Sequence, residues 1–292
     1  NAATTANVNL TGAVGLYGAT TSNSLNLSSG GQLTAYGNAA VASQYGAGGS
    51  FNTLTLTSGA ILAESGNLGL TGGAITAGAA LLQYHVVGDL TTTAYSLGTT
   101  SVLKDGAGML TLNQRSLNTA PYFQNEGTTK LGVANALIAV PTNSIATVYD
   151  LVVNGGTFDL NGNGIAVRQV THTTTSSYPN GAGAVVNTNA AAATLFTAQL
   201  ADINFSGTLG GAAGNNFSVD KSGNFQWTLF SAATYAGTTT VRGGTLTLRD
   251  LLQGALEVAR QAQVHREMLG RGARVARLPD ERHEAPMRLR GG

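Results

Sequence analysis

From Asn1 to Leu248, apolar and polar side chains alternate in short bursts, each closed by glycine, serine or asparagine. The stretch Leu54–Glu64, LTLTSGAILAE, shows the form: an alternating run, a small turn, then a second alternating run. Alternation with period 2 sends one set of side chains to each face of a strand. Val, Leu and Thr suit the strands, and Gly supplies the backbone angles of the turns. The signature recurs at Leu25–Ala35 (LNLSSGGQLTA), Leu68–Gly78 (LGLTGGAITAG), Leu151–Leu160 (LVVNGGTFDL) and Thr239–Leu248 (TTVRGGTLTL), with a weaker copy at Val8–Gly18. One such unit cannot bury its inner face alone, whereas stacked copies can. The pattern therefore predicts an all-β fold, a parallel β-helix (solenoid) over 1–248, with Leu, Val, Ile and Ala inside and ladders of Thr, Ser and Asn outside. Alternation alone does not separate parallel stacking from antiparallel pairing, so hairpins in a sandwich or barrel are the competing reading.

The pattern breaks after Leu248. Asp250 is placed to cap a helix, with Gln253 three residues on, and Leu251, Leu252, Ala255, Leu256 and Ala259 share one helical face. Gly270 is placed to end it, so a helix is expected over 251–269, followed by an arm containing Pro279 and Pro286. The chain thus divides into a repeat domain, 1–248, and a helical tail and arm, 249–292. Charge divides at the same place. Residues 1–248 carry six basic and eight acidic side chains, a net charge of −2, and residues 249–292 carry nine Arg and six acids, a net charge of +3, with no Lys. Three roles compete for the tail: a cap on the open end of the solenoid, an arm docking on a neighbouring subunit, and a solvated extension. An uncapped end exposes strand edges that invite end-to-end pairing.

Composition narrows the class. Charged residues make up 10% of the 292, against about 25% in ordinary soluble domains. With 42% hydrophobic residues this excludes a disordered chain. Cysteine is absent, which suits a protein that crosses membranes unfolded without forming disulfides. The longest apolar run, Ala74–Val87, is broken by Thr, Gly, Gln and His and is too short to span a bilayer. The chain opens on Asn1 without a basic-then-apolar segment, as expected of a processed, trimmed or partial chain.

A longer pattern occurs twice. One copy runs from LKDGAGMLTLN (Leu103–Asn113) to EGTTKLGVANAL (Glu126–Leu137), the other from DKSGNFQWTLF (Asp220–Phe230) to YAGTTTVRGGTL (Tyr235–Leu246). Lys104 aligns with Lys221, and Gly127-Thr128-Thr129 with Gly237-Thr238-Thr239. This spacing, 23 residues in one copy and 16 in the other, implies a seven-residue insertion in the first. Over about 100–248 the chain resembles the passenger domains of autotransporters, specifically their autotransporter-associated β-strand repeat. The preceding and intervening segments NGGTFDLNGNG (Asn154–Gly164) and INFSGTLGG (Ile203–Gly211) add to the likeness. The resemblance implies a right-handed β-helix, export to the bacterial cell surface or extracellular space, and a structural or adhesive role as adhesin, fibre or stalk. It implies self-association, or a ligand on a host, matrix or neighbouring cell, as partner. It does not cover 249–292, where no stretch alternates over the length of a membrane-barrel strand.

Catalytic signatures are sparse. No P-loop, Rossmann fingerprint, HExxH or Cys/His zinc spacing occurs. His85 (in LQYHVV) is read as a packed or edge residue, and His172 lies in a Thr-rich loop, neither with an evident Ser or Asp partner. Asp159–Gly164, DLNGNG, matches the first half of a calcium loop, but Val170 stands where the bidentate acid belongs, so a solenoid turn is expected. Solenoids also host polysaccharide lyases and glycosidases, which need converging acids, and Asp150 with Asp159 is the first pair to test. Trp227 alternates with Phe225 and Leu229 and is expected in the core. The expectation is a non-catalytic protein with no catalytic, cofactor-binding or metal-binding residues, no cofactor, no nucleic-acid partner and no transmembrane segment. A carbohydrate-active β-helical enzyme is the alternative.

Overall fold

The computed structural model describes residues 60–71, 74–77, 81–93, 95–98, 101–118, 120–137, 149–173, 183–211, 216–231 and 233–249, with short strands within 2–56 and 264–276. All elements among them are β-strands, and successive coils pair in parallel. This is the predicted β-solenoid. Each burst of alternation becomes two strands separated by a corner: Thr53–Leu56 with Ala60–Ala63, Asp150–Val153 with Thr157–Asp159, Thr239–Val241 with Thr245–Leu248. The two strands of a burst lie in different sheets, which removes the hairpin reading.

The chain visits three faces in fixed order. The first face is a 6-stranded sheet from Ala2–Thr4 to Leu117–Asn118. The second is an 8-stranded sheet from Val8–Leu10 to Gln169–Thr171, and the third a 9-stranded sheet from Ala13–Leu16 to Thr208–Gly210. From Ile165 onward a 5-stranded sheet takes the place of the first face in chain order, and from Ile203 a 4-stranded sheet takes that of the second.

Burial follows the alternation. Ala60–Ala63, Leu81–Val86, Ser101–Asp105 and Thr128–Leu131 each alternate partly exposed and buried positions. Inward side chains stack in rows along the axis. On the third face one row reads Leu68, Leu90, Leu110, Thr129, Phe158, Val185, Leu209, all buried. Thr129 is a correction to the expectation that threonine faces out. Its hydroxyl donates to Gln124 Oε1 at 2.5 Å and lies 2.6 Å from Tyr122 Oη, so the buried polar group is satisfied. Thr239 is likewise buried in the row Leu195, Val219, Thr239, with Tyr235 Oη 2.6 Å away.

Coils vary in length. Register advances 19 residues from Leu110 to Thr129 but 29 from Thr129 to Phe158. In these coils the corner between second and third faces keeps three residues, and Gly106, Gly127 and Gly156 lie there with φ of 75°, 61° and 62°. A Cβ on Gly127 would fall 2.4 Å from the Gly106 carbonyl oxygen, and one on Gly156 2.3 Å from that of Gly127, so only glycine lets the coils close to pairing distance.

The helix expected over 251–269 lies outside the described residues except at Val264 and His265. There the structure has a two-residue strand paired with Thr239 and Thr240 instead of helix, because the free edge of Thr239–Val241 offers it a ladder.

Candidate functional site

The two aligned lysines are both buried inside the solenoid, Lys104 on the 8-stranded sheet and Lys221 on the 5-stranded sheet. On the second face the inward row is Ile61, Tyr84, Lys104, Gln124, Val153, so an ammonium and an amide interrupt an apolar row. Lys104 and Lys221 are both 0% exposed. Lys104 Nζ donates to the carbonyl oxygens of Asp105 (3.0 Å), Gly106 (2.5 Å) and Glu126 (2.9 Å). Lys221 Nζ donates to those of Gly223 (3.4 Å) and Gly243 (2.9 Å). Burial pushes both groups down to about 8, opposed at Lys104 by the charges of Asp105 and Glu126 and at Lys221 by that of Asp202. In each case the lysine ties its own corner to the corner of the next coil.

That geometry corrects the alignment of the two long motifs. Each lysine reaches a carbonyl 22 residues ahead, Glu126 from Lys104 and Gly243 from Lys221. The positive-φ glycine follows immediately in both, Gly127 and Gly244. The partner of Gly127-Thr128-Thr129 is therefore Gly244-Thr245-Leu246. Gly237-Thr238-Thr239 instead leads into the strand beside Lys221, where Val219 pairs with Thr239. The seven-residue insertion disappears. The repeated GTT letters misled because they occur at two different stations of the coil.

Outside the lumen, charged side chains pair from coil to coil. Asp150 binds Arg168 through two contacts, 2.6 Å from Nε and 2.5 Å from an Nη nitrogen, which holds the Arg168 pKa above its ordinary value. Asp220 and Arg242 make the same fork, with Nε and Nη2 each 2.8 Å from a carboxylate oxygen. His85, read in the sequence as lacking an acidic partner, has one: its Nδ1 lies 2.9 Å from Asp105 Oδ1, and Gln83 Nε2 donates to Asp105 Oδ2 at 2.9 Å. The partner stands 20 residues on, directly opposite in the next strand. Only a knowledge of coil length reveals it.

The other candidates separate. Asp150 and Asp159 do not form a pair: they belong to sheets on different faces, parted by the corner at 154–156. Asp159 is buried and accepts from the backbone N–H of Asn161 (2.9 Å) and Thr188 (3.0 Å) and from the Thr188 hydroxyl (2.5 Å). Asn161 and Asn163 both donate to the Leu131 carbonyl at 3.0 Å, and Gly162 N–H to Asn187 Oδ1 at 2.7 Å. DLNGNG is thus a solenoid corner whose Asp159 carboxylate is bonded within the protein. Among the described residues no group of three or more His, Cys, Asp or Glu is placed to hold a metal ion.

Trp227 is fully buried in the core, as expected, while Phe225 stands in the corner before its strand and is 42% exposed. His172 packs its ring 6.2 Å from that of Phe205, and its Nδ1 accepts the Ser206 N–H at 3.4 Å. That acceptor role needs an unprotonated nitrogen, and burial lowers the His172 pKa in the same sense. Beneath Lys221 the lumen differs from that beneath Lys104. Thr197 stands opposite Lys221 where Tyr84 stands opposite Lys104, and Thr197 Oγ1, both polar atoms of the Gln199 side chain and Trp227 Nε1 are buried without a hydrogen-bond partner.

These features define a parallel β-solenoid whose polar side chains are directed at neighbouring coils. In comparisons with known proteins, no family model, no curated protein and no solved structure matches this chain.

Proposed function

We propose that this chain is a structural or adhesive solenoid exported to a bacterial cell surface, a passenger-like segment or the subunit of an extracellular fibre. The observation that carries the reading is where its chemistry is spent. The paired groups Lys104–Glu126, His85–Asp105, Asp150–Arg168, Asp159–Thr188 and Asp220–Arg242 join residues 18 to 29 apart, one coil to the next. Side chains used this way hold a shaft together, and among the described residues they commit these charged groups to neighbouring coils. The resemblance of 100–248 to autotransporter passenger repeats points the same way.

The competing reading is a carbohydrate-active enzyme, and the half-exposed His85–Asp105 pair is the observation on its side, since a carboxylate on Nδ1 orients an imidazole as a base. Two measurements separate the readings. Protease treatment of intact cells should remove the chain without lysis, and the purified protein should leave a panel of acidic and neutral polysaccharides unbroken. Protection until lysis sinks the surface assignment. Release of reducing ends that His85→Ala abolishes would replace it with the enzyme.

A further inference from the structure

The Arg-rich tail has no repeat motif, yet it returns to the solenoid in register. Val264 pairs in parallel with Thr239, one coil on from the register Leu195, Val219, Thr239. Val275 pairs in parallel with Leu246, one coil on from the register Ile203, Trp227, Leu246. In the last fully described coil Val241 and Leu246 are each 2% exposed.

The strands added by the tail are a poor template for anything further. They are 2 and 3 residues long, Val264–His265 and Arg274–Ala276, one residue shorter in each case than the strands Thr239–Val241 and Thr245–Leu248 that they pair with. The preceding coil turns between its two strands in three residues, 242–244, with Gly244 at φ 66° fitted against the coil before it. The tail takes eight residues, 266–273, between its two strands, and Arg266, Arg271, Arg274 and Arg277 lie in or beside them. Very short strands and charge at the edge are the devices by which β-proteins block edge-to-edge pairing.

We infer that the strands Val264–His265 and Arg274–Ala276 form a blunt terminal edge that closes this end of the solenoid against a second copy of the same chain. Without it, the edges Thr239–Val241 and Thr245–Leu248 and their three-residue glycine corner have the form of the coil before them, Phe217–Ser222 and Gln226–Leu229, on which they themselves stack. The partner held off is the first coil of another molecule, and the contact would be head to tail and able to propagate. This inference rests on strand register and stands whether or not the chain is exported.

The test compares the purified full chain with a chain ending at Arg249, by sedimentation velocity over a tenfold concentration range and by electron microscopy. The full chain should sediment as one species. The shortened chain should shift to larger species with concentration and give rods longer than one molecule. A shortened chain that stays a single species of unchanged size overturns the inference. Hydrogen exchange on the intact protein provides a second decision that does not depend on the truncation folding. Amides of 264–265 and 274–276 should exchange at least about tenfold more slowly than in an unstructured peptide. Exchange at the unstructured rate means that the tail does not pair, and the inference fails.

Discussion

Replacing Lys104 by Met keeps the length of the side chain and removes its charge. Two large terms compete. Burial lowers the ammonium from 10.5 to about 8, and at about 1.4 kcal/mol per unit this costs about 3 kcal/mol relative to the unfolded chain. Against it stand three bonds to carbonyl oxygens at 2.5 to 3.0 Å. Hydrogen bonds to a charged group contribute roughly 1.5–3 kcal/mol each. The folded value of about 8 is already net of what stabilises the ammonium, so the loss on substitution comes from the buried carbonyls that Met leaves short of a donor, roughly 1–3 kcal/mol each. We expect Lys104→Met to lose about 2–4 kcal/mol of unfolding free energy. Lys221→Met should lose less, because Lys221 has two acceptors and one of them is at 3.4 Å. Urea denaturation followed by circular dichroism measures both differences. Buried ions replaced by apolar groups sometimes leave a protein more stable. A Lys104→Met variant as stable as the parent, or more so, would show that desolvation outweighs the carbonyl cage and that the lysine is not a tie between coils.

Stability should rise from about pH 8 to a maximum near pH 10. Both lysines have folded pKa values below their unfolded value of 10.5, so the unfolded chain binds more protons between about 8 and 10.5 and stability rises with pH there. Tyr84, Tyr122 and Tyr235 are raised above 10 by burial, so their contribution is intact below pH 10 and is lost as pH rises past it. A melting temperature that falls steadily from pH 7 to 10 would contradict the buried-lysine assignment. Gly108→Ala should cost about 2–3 kcal/mol, since its Cβ would sit 1.5 Å from the Gly88 carbonyl oxygen, whereas Gly164→Ala meets nothing closer than 3.5 Å and should be tolerated. Equal melting temperatures for the two variants would refute the corner-packing argument. Gln199→Leu removes a buried amide whose atoms have no partner and should be neutral or stabilising by about 1 kcal/mol in the same urea assay; a loss of that size would mean that the amide is bonded after all.

Much of the fold was legible because strand alternation and glycine corners are local. The runs at Leu54–Glu64, Leu151–Leu160 and Thr239–Leu248 each resolved into two strands of a coil, and DLNGNG proved to be a corner. Burial of Trp227 followed from its place in such a run. What lies opposite a residue was not legible, because the distance to the next coil changes from 19 to 29 residues with the corner insertions. For that reason Asp105 was not recognised as the partner of His85, and the two long motifs were aligned on repeated letters instead of on the carbonyl that each lysine reaches. Asp150 and Asp159 look adjacent in sequence, but a three-residue corner places them on separate faces. The sequence alone determined which residues form strands and where the chain turns. Only the tertiary structure decided which coil meets which side chain, since parallel stacking assigns every partner through a loop whose length no local pattern records.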